Sequence, residues 1–447
     1  MKNHLAWALM GTFAGGALTA NAADVSVSGF GTLGYAQSNQ SYKFERFIND
    51  SGTVKRDSVA GLQMDAKLTD QIGATIQAKF APSSKNDASW DGTLSWAFLS
   101  WRPSNDLLFR VGKQRVPVYL YSESMDVGVT HDFAHLPTEM YSTSPTTDYI
   151  GASFSKTWRP SQSELTLDGY AGSIESNWRF YQRDNATFEG TGMQPGANFL
   201  PFTMRGKGAV VTWLKDDNRY RVGLHSVKVT ADPGHFFPAS QTLVPASGFP
   251  DAQIAALGQA GLLTGSAYTV LPQARVDAID TLTLTLGTEI SLPKDFRVVG
   301  EYGRRKVSGA DIGVDTNGGY FALLKTIGAW TPYVSYAVLK TRSDVLKTYQ
   351  AVNTNAGLTA QIPMPALIGA AATVNGSQRA VADSMTVFDQ NTIALGTSYR
   401  LTPTQKLKFE WARTRVGVSS NFVDAPSGGD VSQQNINVIS FSYNFVF

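Results

Sequence analysis

The 447-residue sequence contains no cysteine. This absence excludes a disulfide framework, a thiolate metal site and a cysteine nucleophile, and it suits a chain that crosses an oxidising compartment before it folds. Charged residues are also scarce, at 17%, and the formal net charge is only +2. A charge so close to zero gives no reason to expect nucleic acid as a partner.

Long apolar runs are missing as well, because no stretch past the N-terminus reaches the roughly 18 apolar residues of a transmembrane helix. The N-terminus itself predicts a signal peptide. Lys2 and His4 precede an apolar run from Leu5 to Leu18, and Ala20-Asn21-Ala22 matches a small-x-small cleavage site. We expect residues 1–22 to be removed, which leaves one domain over residues 23–447. An uncleaved anchor is the weaker alternative, since the run is too short to span a bilayer.

Segments in which apolar and polar residues alternate with a period of two are abundant in the sequence. Leucine alternates with threonine or glycine over residues 282–287, and apolar residues alternate with Lys408 and Glu410 over residues 407–411. Such segments are typical of strands with one apolar face. About sixteen of them follow one another, separated in turn by short turns and longer loops, as in outer-membrane barrels.

The alternation of short turns and longer loops between these strands predicts an all-β fold. We expect a closed antiparallel transmembrane β-barrel of about 16 strands, with lipid outside and water inside. The sheet must close, because an open edge in lipid would leave backbone groups without hydrogen-bond partners. The soluble alternative is a large secreted sandwich or propeller. So many one-sided apolar strands in one chain favour the barrel.

The last strand carries the most specific local signal. Ile439, Phe441, Tyr443, Phe445 and the terminal Phe447 share one face, which would invite aggregation at the edge of a soluble sheet. Here the chain resembles the Gram-negative outer-membrane porins, whose last strand ends in an aromatic residue that is recognised during assembly. The resemblance covers the architecture of the whole mature chain and is nearest to the trimeric general-diffusion porins or their phosphate-selective relatives. It implies that Phe447, Phe445 and Tyr443 form an assembly signal.

One acidic connection stands out between two clear strands, at 107–112 and 149–154. Lys113 and Arg115 open it, and from Val116 to Asp148 there is no further Lys or Arg. A connection of this length inside a strand-rich domain is usually functional or disordered, and its aromatic residues and histidines argue against disorder. In porins the third external loop folds inward and narrows the pore. Residues 114–148 are the third loop here.

The resemblance therefore implies a pore constriction in which acids of this loop face bases of the barrel wall. Most of the bases are assigned to the lumen because successive residues of a strand point to opposite faces, so their odd or even position (the strand parity) gives the face. A single bulge inverts this assignment. The expected acids are Glu123, Asp126, Asp132 and Glu139, and the expected bases are Arg110, Lys113, Arg115, Arg219, Arg221, Arg297, Arg305 and Lys408.

The function that this resemblance implies is passive diffusion of ions and small hydrophilic solutes through a water-filled channel in the cell outer membrane. It implies no chemistry, no cofactor and no metal. The expected partners are outer-membrane lipids, two further copies of the chain in a homotrimer, and the barrel-assembly machinery, which would bind the C-terminal strand.

Two other classes of function stay open. An adhesin or receptor with a largely closed lumen would use the long loops 231–275 and 343–389, which either restrict solute passage or simply pack on one another. A short helix is predicted in the first of them, at 251–259, after Pro250.

An outer-membrane enzyme is the third class. His131, His135 and Glu139 have a spacing that suits a metal, but Pro137 interrupts the turn. The remaining histidines outside the loop and the signal, His225 and His235, have no nucleophile motif beside them. We therefore expect no enzymatic activity. The glycine-rich stretch 29–34 imitates a dinucleotide fingerprint only loosely, and close packing within a strand is the simpler interpretation.

Overall fold

The structure is a computed structural model of the chain. It describes residues 24–144, 146–188, 191–235, 237–238, 242–263, 268–270, 275–310, 313–354 and 365–447. The expected signal peptide, residues 1–22, lies outside these ranges.

Sixteen antiparallel strands form one closed barrel, as predicted from the alternation. The first strand pairs with the last, from Phe30 opposite Val446 to Ser38 opposite Val438, and this seam closes the sheet. The strands are β1 (Asp24–Ser38), β2 (Val59–Lys67), β3 (Ile72–Pro82), β4 (Trp90–Ser104), β5 (Leu107–Arg115), β6 (Asp148–Trp158), β7 (Ser163–Gln182), β8 (Gly196–Lys215), β9 (Asn218–Ala231), β10 (Ala278–Leu292), β11 (Phe296–Ser308), β12 (Thr316–Lys325), β13 (Trp330–Thr341), β14 (Phe388–Thr402), β15 (Gln405–Ser420) and β16 (Asn435–Val446).

The connections alternate between the two rims of the barrel. Seven turns of two to four residues lie on one rim, which we call the turn rim, and eight longer loops lie on the other, the loop rim. The loops are L1 (39–58), L2 (83–89), L3 (116–147), L4 (183–195), L5 (232–277), L6 (309–315), L7 (342–387) and L8 (421–434). Both features confirm the predicted rhythm of short and long connections.

Helices in the described part of the chain belong to the loops. The α-helices are α1 (Thr138–Tyr141) in L3, α2 (Ala252–Gln259) in L5, and α3 (Ser343–Asn353) and α4 (Pro365–Ser384) in L7, and two short 3-10 helices, Gly128–Thr130 and Ala246–Gly248, lie in L3 and L5. The helix predicted at 251–259 is confirmed, and the Asp251 side chain caps it by accepting hydrogen bonds from two backbone N–H groups of its first turn. None of the described helices is long and apolar enough to cross a bilayer.

L4 and L5 also contain three short strand pairs. These are Ala186–Phe188 with Thr191–Met193, Phe237–Pro238 with Arg275–Val276, and Thr242–Val244 with Tyr268–Val270.

The outward face of the barrel is apolar. In β10, Leu282, Leu284 and Leu286 are exposed, whereas Thr283 and Thr285 between them are buried on the lumen side. Large aromatic residues gather outside the turn rim, where such residues form a girdle at a membrane interface. The exposed tryptophans next to its turns are Trp101, Trp158, Trp213 and Trp330.

Glycines let the two ends of the barrel chain pack closely. A Cβ added to Gly29 would lie 2.3 Å from the Phe447 ring, and one added to Gly31 would lie 2.5 Å from the Phe445 ring. The rings of the last strand thus cover bare backbone of β1. Close packing accounts for the glycine-rich stretch at 29–34, as the sequence indicated.

Strands β7 and β8 are longer than a bilayer requires. Each has 20 residues, about twice the 9–11 residues of a transmembrane strand. Towards the loop rim, the polarity of β7 to β11 reverses. Outward positions there are exposed and polar, namely Glu175, Arg205, Lys207, Lys228 and Lys306. Inward positions there are apolar, including Ile174, Trp178, Phe202, Val229 and Val307. These strands therefore continue beyond the apolar belt as a wall with a polar outside and an apolar inside.

Candidate functional site

The third loop, L3, folds into the barrel and packs on the inner wall. Its apolar side chains form one buried cluster with inward residues of β11 to β13. Phe133 is only 1% exposed, and its ring lies edge-on to those of Tyr333 and Tyr320, with centroids 5.2 and 6.0 Å away. Burial of a phenylalanine alone contributes about 1.5–3 kcal/mol. The loop is therefore fixed in the lumen by a small hydrophobic core.

Four of the predicted wall bases donate hydrogen bonds to the backbone of L3, and Arg115 does so to Ser122 O at 3.4 Å. Arg221, Arg305 and Lys408 all donate hydrogen bonds to its carbonyl oxygens. These bonds run from Arg221 Nη2 to Pro117 O, from Arg305 Nη1 to Thr143 O (2.9 Å) and from Lys408 Nζ to Phe133 O (2.7 Å). Because a carbonyl carries no net charge, these contacts position the loop without neutralising Arg221 or Arg305, whereas Lys408 is only 1% exposed and is covered by L3.

Asp126 joins L3 to two bases of the wall. Its Oδ2 lies 2.9 Å from Lys79 Nζ and 2.7 Å from Arg115 Nη2. Burial would raise the pKa of Asp126, but Lys79 and Arg115 outweigh it and hold the pKa well below its usual range. Arg115 also reaches Asp148 Oδ1 at 3.2 Å. The carboxylate thus stays ionised and ties the loop to β3 and β5.

Asp132 makes a second junction on the opposite wall. Its carboxylate lies 2.8 Å from Lys406 Nζ, accepts a hydrogen bond from Ser398 Oγ at 2.8 Å, and is ion-paired with Arg297. Burial again raises the pKa of Asp132, and the two bases again outweigh it. Lys406 was not among the predicted site residues, although it lies two residues before Lys408 on the same face of β15 and the alternation could have indicated it.

The other two predicted acids differ in exposure. Glu139 lies in α1 and is buried, and its Oε1 accepts hydrogen bonds from Gln390 Nε2 (2.7 Å) and Thr392. Burial raises the pKa of Glu139, so the residue belongs to the protein interior rather than to a constriction surface. Glu123 has a side chain that is 63% exposed, and it lies 3.7 Å from Arg110 Nη1. Of the four predicted acids, Glu123 is the one that presents its carboxylate to open lumen.

Two predicted bases make no hydrogen bond or ion pair with the described residues of L3. Lys113 pairs across the sheet with Ala97 and Ile150. It lies two residues after Val111 in β5, so the alternation of the strand directs it to the outer face, where Val111 is exposed. Arg115, two residues further on, nevertheless turns inward to Asp126, and a role for Lys113 in the constriction stays a prediction. Arg219 lies on the lumen side near the turn rim, 3.8 Å from Glu289. Gln114, Arg115 and Asp148 likewise belong to β5 and β6, so the loop is shorter than the predicted 114–148.

The two loop histidines have separate partners. His135 Nδ1 lies 2.8 Å from Asp57 Oδ1 in L1. His131 Nδ1 lies 3.3 Å from Lys408 Nζ. In the described residues no group of three or more His, Asp or Glu side chains is arranged to hold a metal ion. The spacing that suggested a shared metal therefore serves two different contacts.

The L1 contact was not predicted from the sequence. Burial and Arg56 lower the pKa of His135, but Asp57 and Glu45 outweigh them, so the pKa is raised. Burial raises the pKa of Asp57, and Arg56 and His135 together bring it well below its usual range. Thr138 adds a 2.6 Å hydrogen bond to Glu45. L1 and L3 are thus joined by a buried charged cluster.

Two buried acids of the wall also support the loop. Glu301 accepts hydrogen bonds from the Leu120 backbone N–H (2.8 Å), from Tyr320 Oη (2.9 Å) and from Tyr141. Glu410 accepts one from Tyr333 Oη at 2.6 Å. Buried acids are stable only when they are paired in this way. Their inward position in β11 and β15 is the sequence signal that would have found them.

The long loops pack on one another over the loop rim. In L5 and L7, Tyr268 Oη donates to Asn375 Oδ1 at 2.8 Å, and the Thr269 N–H donates to Gln378 Oε1 at 2.7 Å. At the end of β7, Arg179 Nη2 lies 2.7 Å from both Asp87 in L2 and Asp424 in L8. Arg183 similarly binds Asp383 of α4 at 2.6 Å. Contacts between loops are thus observed, which is one of the two interpretations left open above.

Comparisons with known proteins give similarity in overall structure alone. No protein-family profile matches the sequence, and no curated protein sequence matches it. The chain is similar to OmpT, an outer membrane protein of Vibrio cholerae (trimer form), with 12% identity, a TM-score of 0.49, and coverage of 96% of this chain and 100% of that one. It is also similar to an anion-selective porin from Comamonas acidovorans, with 13% identity, a TM-score of 0.48 and coverage of 95% and 100%. A third similar structure is the outer membrane channel DcaP of Acinetobacter baumannii, with 10% identity, a TM-score of 0.47 and coverage of 95% and 97%. The barrel fold itself is established by the strand pairing.

Proposed function

We propose that this barrel is an outer-membrane porin that lets ions and small solutes diffuse passively past L3. The observation that carries the proposal is the inward fold of L3, which is held on the wall by ion pairs and hydrogen bonds on opposite sides of the lumen. Asp126 and Asp132 form its two charged junctions. A loop that only recognised an external partner would not need to be fixed at this depth.

The charges around L3 favour anions. Most loop acids are neutralised or buried, as described above, whereas Arg221 and Arg305 are bound to neutral carbonyl and hydroxyl oxygens. A single charge at about 8 Å contributes roughly 2 kcal/mol at an effective dielectric of 20. Arg221 and Arg305 together therefore create a positive field along the path of a passing ion, and anions should be preferred.

Reconstitution in a planar bilayer under a salt gradient tests this proposal. We expect stepwise, ohmic conductance and a reversal potential of the sign that anion preference gives. Glu123→Gln should increase that preference, because it removes the exposed acid. Asp70→Asn removes one acid from an exposed turn and serves as the matched control with no change. A folded barrel without conductance would refute the channel and favour the adhesin or receptor alternative.

Several further expectations belong to the same proposal. Export by a cleaved signal peptide follows from the N-terminal sequence. Location in the outer membrane, a homotrimer with lipids around it, and recognition of the last strand by the barrel-assembly machinery follow from the resemblance to porins. Mass spectrometry of the mature protein from membranes, in native and denatured form, would report both the N-terminal residue and the number of subunits.

A further inference from the structure

An apolar cavity of about 500 Å³ lies in the lumen between L3 and the loop rim. Its floor is made by L3, its wall by the reversed segments of β7 to β11, and its roof by α4. The volume falls within the roughly 300–1,000 Å³ of pockets that hold small molecules. The inside of a porin is ordinarily polar, so an apolar chamber on the solute path requires its own explanation.

The wall of this cavity is rich in aromatic and branched side chains. Tyr149, Tyr170, Trp178, Phe180 and Phe202 face it from β6 to β8. Their rings contact one another, with centroids 5.3 Å apart for Tyr149 and Tyr170, and 6.5 Å for Trp178 and Phe202. Such a surface accommodates a flat ring by edge and face contacts.

The polar groups of the cavity are few, and the charge among them is positive. Arg305 lines the cavity, and its recorded hydrogen bonds go to the carbonyl and the hydroxyl of Thr143. Among the described residues no carboxylate lies within ion-pair distance of Arg305. The acid that lines the cavity, Asp148, is already bound by Arg115 at 3.2 Å. A guanidinium has five donors in a fork that fits a carboxylate.

The other titratable groups of the lining do not offset this charge. His225 is buried, and its Nδ1 lies 2.9 Å from Tyr170 Oη. His235 is exposed in L5. Neither imidazole carries negative charge in any protonation state. The cavity thus combines an apolar chamber with one cation whose partners are neutral.

We propose that this cavity is a binding site for a small carboxylate with an apolar, ring-bearing body, whose carboxylate binds Arg305 and whose ring lies against the aromatic wall. The proposal deepens the channel function and rests on it, since the bound molecule would be a solute in transit. Free ions and small polar solutes would pass the same chamber without being held.

Fluorine NMR tests binding independently of conductance. The probe is 3-(4-fluorophenyl)propionate added to the protein in lipid nanodiscs, with empty nanodiscs as the background for partition into lipid. We expect broadening of the fluorine signal that unlabelled 3-phenylpropionate reverses. Propionate, which lacks the ring, should compete at least about tenfold more weakly, and 3-phenylpropanol, which lacks the charge, should also compete at least about tenfold more weakly.

Two pairs of variants locate the site. Arg305→Gln should weaken binding about tenfold or more, whereas Arg205→Gln removes the same charge from the exposed outer face of the same wall and should not. Val229→Phe places an additional ring inside the cavity and should weaken binding, whereas Val222→Phe places the same ring on the outer face of the same strand and should not. Resistance of the barrel to unfolding in dodecyl sulfate at room temperature shows that each variant has folded.

The outcomes separate this proposal from the channel function. Conductance without specific binding, or binding that Arg305→Gln and Val229→Phe leave unchanged, overturns the proposed site and leaves the channel standing. Equal competition by 3-phenylpropanol overturns the carboxylate assignment. Specific binding in a barrel that does not conduct overturns the channel, and the cavity is then a receptor site.

Discussion

Asp126 is the residue whose neutralisation should release L3 most clearly. Its carboxylate binds Lys79 and Arg115 at 2.9 and 2.7 Å, and its side chain is only 18% exposed. The variant Asp126→Asn keeps the shape of the side chain but leaves two bases without their acid. It therefore tests whether the ion pairs, rather than the hydrophobic cluster alone, fix the loop.

The expected magnitude follows from this geometry. At about 3 Å and an effective dielectric of 20, each contact is worth roughly 5–6 kcal/mol before desolvation. Desolvation offsets most of that sum, and breaking a buried pair costs about 3–5 kcal/mol net. We take the lower end because the side chain is partly exposed. About 3 kcal/mol corresponds to an opening of L3 that is roughly a hundredfold more frequent.

Hydrogen exchange of residues 116–147, measured with the reversal potential, is the assay. Glu123→Gln is the matched control, because it removes the same charge from the same loop at a carboxylate that is 63% exposed and 3.7 Å from Arg110. A pair so exposed is worth at most about 1 kcal/mol. Both variants should shift the reversal potential towards anions, and only Asp126→Asn should lose protection. Unchanged exchange in Asp126→Asn would show that the ion pairs do not hold the loop.

Three further predictions follow from single contacts. The pKa of His135 is raised and that of Asp57 is lowered, so their contact stabilises the fold most between about pH 4 and pH 6.5. The contribution of His135 is lost as the pH rises through its raised pKa. The difference in unfolding temperature between the protein and His135→Gln should therefore be larger at pH 5.5 than at pH 8.5, and an equal difference at both would contradict it. Phe133→Ala should lower the free energy of unfolding in urea by about 3–5 kcal/mol, and Phe441→Ala, on the outer face, should lower it less; equal losses would argue against the core described for L3. Phe447→Ser should reduce the amount of folded barrel in cell membranes while refolding of the purified protein into lipid proceeds normally, and normal assembly in cells would remove the assembly signal.

Strand parity was a good guide to the lumen wherever a strand ran regularly. It brought Arg221, Arg297, Arg305 and Lys408 inward, and all four contact L3. In β5 the same rule carries Lys113 outward with Val111, but it fails at the end of the strand, where Arg115 turns inward to Asp126. Parity is a local property of the pleat, so it identifies the face of a residue and cannot identify its partner.

The acids of L3 show where the sequence was insufficient. Four carboxylates within residues 116–147 look equivalent in the sequence, yet the structure makes two of them anchors, buries Glu139 and exposes Glu123. Exposure in a loop depends on how that loop crosses the barrel. Neither composition nor spacing contains that information.

The third loop shows most clearly which properties of this protein the sequence determines and which depend on the tertiary structure. The sequence by itself determined a closed barrel of about sixteen strands, its apolar outside and an acidic third loop. The reason is that the apolar–polar alternation of strands and the spacing of turns are properties of short stretches of sequence. Only the tertiary structure decided which charges meet, since Asp126 and Lys79 are 47 residues apart and Asp132 and Lys406 are 274 apart. Closure of the sheet brings such residues to one lumen. The apolar cavity above L3 arises from the same closure, because it exists only where six strands, the loop and a distant helix come together.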